Sequence, residues 1–314
     1  MSLLIKKPGI LTTVQDLGRS GHRAQGINPS GVMDRSAAIL LNTLLGNSES
    51  EAVLELHFPA GEFQFENECS FAIGGADFGA KLNGIVLPDW KSVTAFQGDV
   101  LKFIAPRNGS RSYLAVAGGF AVDDWLGSKS TNLTARAGGL NGRKLDRGDR
   151  IEFAGPRMVS ERALGPSLIP RNSQFPTVRV IAGAEFDILT AKSEQDFLGG
   201  AFTLTNEVNR MGYRLKGANL HLLHEKELIS AAVTFGTIQL LPDGQLIVLM
   251  ADHQTSGGYP RIANVVDVDV PLLAQLSPGD GVSFHLVTID EAENARLRFQ
   301  RELAFLRTGL SFQR

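Results

Sequence analysis

Gly98-Asp99-Val100-Leu101-Lys102-Phe103, Gly148-Asp149-Arg150-Ile151-Glu152-Phe153 and Gly279-Asp280-Gly281-Val282-Ser283-Phe284 repeat one pattern, and that pattern sets the fold class. Gly-Asp supplies a tight turn, because glycine tolerates left-handed backbone and aspartate bonds nearby main-chain groups. The residues that follow alternate, which is the period of a strand with one buried face, and phenylalanine closes that face each time. The repetition fits either a duplicated β domain or separate uses of a common turn.

Outward from these turns the chain is built of short apolar runs bounded by glycine, proline, asparagine or aspartate. Ala52 to Phe58, Ser70 to Ile73, Ser112 to Ala117, Val178 to Ala182 and Gln245 to Met250 are too short for helices and read as strands. Two helices are marked. Asp34 can cap one that runs through Ala37, Ala38, Leu40, Leu41 and Leu44 to Leu45, with Gly46 as its stop. Thr288 and Glu291 have capping-box spacing for a second, continuing through Ala292, Ala295, Leu303 and Leu306 toward Thr308-Gly309, and its charged face makes it an outer helix. Pro166, Pro170 and Pro176 punctuate an aperiodic stretch from Gly155 to Pro176. The expectation is therefore a mainly β protein with a few helices, divided into domains at residues 1–160 and 161–314, the second carrying the C-terminal helix.

With 314 residues, 43% of them hydrophobic and 20% charged, the chain is long enough for two cores. Its formal charge of -2 comes from interspersed acids and bases, without the basic stripe that displaces counterions from a nucleic acid, so nucleic acid is not an expected partner. Cys69 is the single cysteine, which excludes an internal disulfide and a multi-cysteine zinc site and fits a reducing cytoplasm. Met1 to Gly9 places its charges after a very short apolar stretch, the reverse of a signal peptide, and no window approaches the about 18 apolar residues of a membrane span. The whole chain reads as a mature, soluble protein.

Several chemistries lack their residues. Gly127-Ser128-Lys129-Ser130-Thr131 misses the Gly-Lys adjacency and upstream glycine of a phosphate-binding loop and reads as a polar turn. His224-Glu225 has no second histidine at helical spacing, so no metal site is expected. There is no G-x-S-x-G elbow, Cys69 sits in an apolar run, and no biotin-carrying Met-Lys-Met is present.

Four segments instead concentrate polar residues beside glycine, where backbone amides can approach a ligand closely. The first is Thr12 to Arg19 with Ser30 to Asp34; Gln15 and Arg19 can hold an amide or carboxylate, or Asp16 and Arg19 can simply pair with each other. The second joins Gly118-Gly119 to Gly127 through Asn132, where Lys129 offers a point charge or the segment is a solvated loop. In the third, Asn206 to Leu215, Asn209 and Arg210 suit anion or amide recognition, or Arg210 pairs with Glu207. The fourth, Ala251 to Ile262, packs an acid, an imidazole, an amide, two hydroxyls and paired glycines behind an apolar strand. His253 there is a candidate general base whose tautomer Asp252 or another carboxylate sets, although neighbours on an extended chain point to opposite faces.

At these segments the chain resembles the KipA family, that of the 5-oxoprolinase C subunits, also called allophanate hydrolase subunit 2 or the biotin-dependent carboxyltransferase domain of urea carboxylase. The resemblance runs from Pro8-Gly9-Ile10 and Thr12-Thr13-Val14-Gln15-Asp16-Leu17-Gly18-Arg19 through Ile73-Gly74-Gly75-Ala76-Asp77, Tyr113 to Gly119, Gly127 to Thr131 and Asn209 to Leu215, to Gly279-Asp280. It implies two cyclophilin-like β-barrel domains and work in a complex with a smaller KipI-like B subunit and a third, hydrolase-type A subunit. The implied reaction is ATP-dependent opening of 5-oxo-L-proline to L-glutamate, with ATP and Mg bound by the complex, no biotin on this chain, and little activity from the chain alone. Two other readings remain: a urea or amide carboxyltransferase-like component, and a regulatory antagonist of a KipI-type kinase inhibitor. On this resemblance His253, Gln254 and Arg210 are the catalytic candidates. Gln15, Asp16, Arg19, Asp34, Asn209, Thr255, Gly257, Gly258 and Tyr259 are the substrate-binding ones.

Overall fold

The computed structural model describes residues 1–155, 158–224 and 228–312. Glu225 of the His224-Glu225 pair lies outside them. The chain divides into two compact units. One comprises Met1–Arg19, Ser30–Asn172 and Gln300–Arg314, and the other Ser20–Pro29 and Ser173–Phe299.

All three Gly-Asp turns are built the same way. Gly98, Gly148 and Gly279 have φ of 93°, 90° and 92°, a region that any side chain would strain. The carboxylates of Asp99, Asp149 and Asp280 each accept the backbone N–H three residues upstream, from Phe96, Asp146 and Ser277. Each turn also docks on a neighbouring strand: Phe65, Ile5 and Leu204 donate to the three aspartate carbonyls and accept from the three glycines. The strands that follow, Val100–Phe103, Arg150–Phe153 and Gly281–Leu286, bury Leu101 and Phe103, Ile151 and Phe153, and Val282 and Phe284. The third copy stands in a different unit from the first two, which fits a duplicated β domain.

The protein is mainly β, as expected. In the first unit seven strands order as Phe120–Ala121, Arg150–Phe153, Ser2–Lys7, Glu62–Phe65, Val100–Phe103, Ala80–Leu82 and Ile85–Val86. Five more order as Thr12–Gln15, Val53–His57, Asn108–Val116, Cys69–Asp77 and Ser92–Ala95. Leu3, Ile5, Phe63 and Phe65 from the first sheet and Leu54, Leu56, Phe71 and Leu114 from the second share one core. The helix Arg35–Leu44 lies on the second sheet, buries Ala37, Ala38, Leu40, Leu41 and Leu44, and is capped by the Asp34 carboxylate accepting from Ala37 N–H at 2.8 Å.

The second unit holds a closed barrel of seven strands: Thr177–Ala182, Arg261–Val265, Thr237–Leu240, Leu246–Leu249, Gly212–Lys216, Phe202–Val208 and Gly281–Leu286. Parallel pairing of Thr177–Ala182 with Gly281–Leu286 closes it. Phe197, Phe202 and Phe284 pack together, with the Phe197 and Phe284 rings stacked at 5.0 Å. Phe197 comes from the helix Ala191–Gly199, which the sequence reading missed. The C-terminal helix spans Ile289–Ser311 behind the expected capping box, Thr288 and Glu291 exchanging backbone-to-side-chain bonds at 2.8 and 3.2 Å. No helix among the described residues is long and apolar enough to cross a membrane.

The compact units do not follow a 160/161 boundary. Residues 159–164 remain with the first unit because Val159 N–H donates to Ser70 Oγ, Ser92 N–H to Arg162 O, and Leu164 N–H to Trp90 O. The division falls after Asn172, among the prolines, and residues 20–29 join the second unit, held by Arg23 to the Val233 carbonyl and by Asn28 to the Asp252 carbonyl.

One carboxyl in the first unit sits at a stability cost. Burial, then repulsion from Asp77, raise the Asp89 carboxyl to about 7 against the pull of Arg107. A raised carboxyl binds its proton in the folded state over a range where the unfolded chain has lost it, so stability falls as pH rises from about 4 to 7 and is flat above. Asp89→Asn is expected to stabilise the protein by on the order of 2 kcal/mol at pH 8, fading toward pH 4, in urea denaturation read at both pH values.

Candidate functional site

Buried polar clusters occur in both units. In the first, Asp16 is the hub. Its carboxylate accepts from Gly18 N–H at 2.7 Å, Ser128 Oγ at 2.6 Å, Lys129 N–H at 2.6 Å and Ser130 Oγ at 2.5 Å. The segment Ser128 to Thr131 is thereby laid against the strand Thr12–Gln15, with Thr131 N–H and hydroxyl both donating to the Val14 carbonyl. Ser128, Ser130 and Thr131 are buried, which replaces the solvated-loop alternative.

Arg19 does not pair with Asp16. Its Nη2 donates to the Ser130 carbonyl at 2.5 Å and its guanidinium lies 4.6 Å from the centre of the Trp125 ring. Gln15 donates from Nε2 to Thr13 Oγ1 and the Thr131 carbonyl, which fixes its amide orientation, and its buried Oε1 has no hydrogen-bond partner. Asp34, expected to hold substrate, has its carboxylate at the helix cap. Its N–H donates to the Tyr113 hydroxyl, which donates in turn to buried Glu55, and Glu55 also accepts from Met33 N–H. Burial first, then Glu55 and Asp34, hold the Tyr113 phenol well above its usual range. Glu55 was absent from the sequence-based candidates because an acid inside an apolar strand carries no local signal.

The Gly127 to Thr131 segment does not fit a nucleotide phosphate. Lys129 Nζ is paired with Glu51 at 2.5 Å, and its N–H and both serine hydroxyls are directed at Asp16. Asp16 is thus the organiser of this cluster rather than a group free to meet a ligand. Asp16→Asn, which turns an acceptor into a donor facing these donors, is expected to cost about 2 kcal/mol in chemical denaturation.

In the second unit Arg210 and Asp252 form a buried two-point pair, Nε to Oδ2 at 2.8 Å and Nη2 to Oδ1 at 3.2 Å. Backbone bonds reinforce it, Asp252 N–H to the Arg210 carbonyl at 2.7 Å and Met250 N–H to the Met211 carbonyl at 3.0 Å. Glu207 pairs with Arg214, and Arg210 ties its own turn to the Asp252 loop. Asn209 is exposed and folds its Oδ1 onto its own turn, accepting from Met211 and Gly212 N–H.

Asp252 is spent on Arg210, so the His253 tautomer is set elsewhere. His253 is 1% exposed, and its Nδ1 lies 2.6 Å from the Gln254 carbonyl. A carbonyl only accepts, so Nδ1 carries the proton and Nε2 keeps its lone pair. Burial holds the imidazole below its usual range, and the nearby positive charge of Arg23 acts the same way, against the Gln254 carbonyl and Asp252. The ring is neutral at pH 7, with Nε2 unprotonated. Beyond it, Gln254, Gly258 and Tyr259 are exposed and Thr255 and Gly257 half-buried. Gly258, Tyr259 and Pro260 also line a cleft of about 630 Å³ with Leu220, Leu240 and Leu241 among its walls.

Against known proteins, a family model described as carboxyltransferase domain, subdomain A and B, matches residues 25–286. The C subunit of the Haemophilus influenzae 5-oxoprolinase is 37% identical over 292 residues, 93% of this chain and 92% of that protein. Its Escherichia coli counterpart is 37% identical over 300 residues, 95% and 96% of the two chains. The crystal structure of the K. lactis urea amidolyase matches 97% of this chain with a TM-score of 0.91 at 25% identity, but this chain spans only 20% of that one.

Proposed function

The chain belongs to the carboxyltransferase-domain family that includes the 5-oxoprolinase C subunits, and from that premise we propose that it is the C subunit of an ATP-dependent 5-oxoprolinase. The observation that carries this reading is two-way coverage: the two 5-oxoprolinase C subunits match over more than nine-tenths of both chains, whereas the urea amidolyase match is a fraction of a longer protein. In this reading a KipI-like B subunit and a hydrolase-type A subunit complete the enzyme in the cytoplasm, and the chain has little activity alone.

The reaction breaks the lactam C–N bond of 5-oxo-L-proline, adds the oxygen of water to the acyl carbon and releases the amine of L-glutamate. Resonance makes that carbonyl a poor electrophile, so its oxygen must be held by fixed donors while a base removes the water proton. His253 is the base, since Nε2 is unprotonated and the ring is held by its Nδ1–H bond. Arg210 and Asp252 fix the loop from behind, and Gln254, Thr255, Gly257, Gly258 and Tyr259 present the surface that meets the lactam. Within the first unit's own cluster, Gln15 and Arg19 suit an amide or carboxylate group. ATP, with Mg, supplies the driving force and is bound elsewhere in the complex, in keeping with the engagement of Lys129, Ser128 and Ser130 by Glu51 and Asp16.

The reconstituted complex is expected to release inorganic phosphate on addition of 5-oxoproline and to be indifferent to avidin. Avidin-sensitive, bicarbonate-dependent turnover of urea would instead place the chain with the carboxyltransferases. Binding to a KipI-like protein without turnover of either substrate would favour the regulatory reading.

A further inference from the structure

Gln239 lies in the barrel strand Thr237–Leu240, every residue of which is buried. Its side chain is 0% exposed and donates from Nε2 to the Tyr259 carbonyl at 3.3 Å. Because a carbonyl accepts only, that bond fixes which end of the amide is which. The Oε1 acceptor is buried and has no hydrogen-bond partner. A sealed, unsatisfied acceptor is costly, and buried polar groups left so are uncommon.

The candidate substrate loop lies against the same amide. A Cβ at Gly257 would stand 2.7 Å from Gln239 Nε2, so any larger residue there would push the amide aside. The loop is lightly held: Ser256–Gly257 pairs with Ala231–Ala232 at two positions only. The next residues, Gly258 to Pro260, form one wall of the 630 Å³ cleft. The Ser256 to Pro260 segment therefore lies beside the Gln239 amide and borders a cleft of a size that holds a small molecule.

We infer that Gln239 is a specificity-determining residue whose Oε1 accepts the N–H of an amide, lactam or ureido substrate when the Ser256 to Tyr259 segment shifts to admit it. This deepens the proposed function and rests on the second unit's loop being the substrate site. A neutral carboxamide oxygen takes an N–H donor and rejects an isostere that lacks one, which is the discrimination an enzyme of amide cleavage needs. Gln239→Met keeps the length and removes the acceptor.

The test measures binding and turnover separately on the assembled complex, with 5-oxoproline and N-methyl-5-oxoproline as probes and urea against tetramethylurea as a second pair. Wild type is expected to prefer the N–H member of a pair by roughly tenfold or more, and Gln239→Met to lose that preference with little change for the methylated member. Gln239→Leu, compared by thermal melting, guards against a folding artefact, because removal of a buried unsatisfied acceptor should leave the melting temperature close to wild type. Equal preference in wild type and variant, or no binding of either pair, overturns the inference. If 5-oxoproline is not turned over but the Gln239-dependent N–H preference persists with urea, the 5-oxoprolinase reading falls and the role of Gln239 stands.

Discussion

Asp252→Ala is expected to destabilise the protein by about 3–5 kcal/mol, because it removes the carboxylate that a buried guanidinium is bonded to at two points. Arg210 and Asp252 are both nearly inaccessible and meet through two hydrogen bonds, so water cannot replace the lost carboxylate. The comparison that isolates the charge is a cycle with Arg210→Met. Removing both partners should recover much of the loss, since the desolvation penalty disappears with the ions. Urea denaturation of the two single variants and the double variant measures this. A loss in Asp252→Ala below about 1 kcal/mol would mean that the pair is solvated in solution.

His253→Ala in the assembled complex is expected to lower turnover by about 10²–10⁴-fold, the range for removal of a positioned general base. The substitution leaves the Arg210–Asp252 anchor in place, so the complex should still assemble. The pH profile gives an independent reading. The neutral ring is the active form and burial lowers its pKa, so activity should persist as pH falls through the usual histidine value near 6.5 and be lost only below it. Stability follows the same sign: the His253 contribution is complete above about 6.5 and declines as the unfolded chain takes up the proton at lower pH. An acid limb with its midpoint above 7 would remove His253 from the role of base.

Much of the fold was legible because turn chemistry and alternation are local. The three Gly-Asp turns, the Asp34 cap and the Thr288–Glu291 capping box each announce themselves within a few residues, and the structure bears them out. The helix Ala191–Gly199 did not, since Ser193 and Phe197 are its only buried residues and two positions make no apolar stripe. The polar segments were located correctly as stretches, but their bonding was not readable. Asp16 finds Ser130 across 114 residues and Arg210 finds Asp252 across 42, whereas the sequence offered nearer partners in Arg19 and Glu207. Gln239 was missed because a single polar residue in an apolar strand looks like ordinary alternation. Its bond to the Tyr259 carbonyl joins residues 20 apart, which no local pattern announces.

The most direct measurement is glutamate released from 5-oxoproline and ATP by the co-expressed partner subunits, with this chain added or omitted. Release is expected to require the chain and to be nearly abolished when His253→Ala is supplied in its place. Release that proceeds equally without the chain would contradict its assignment to the enzyme.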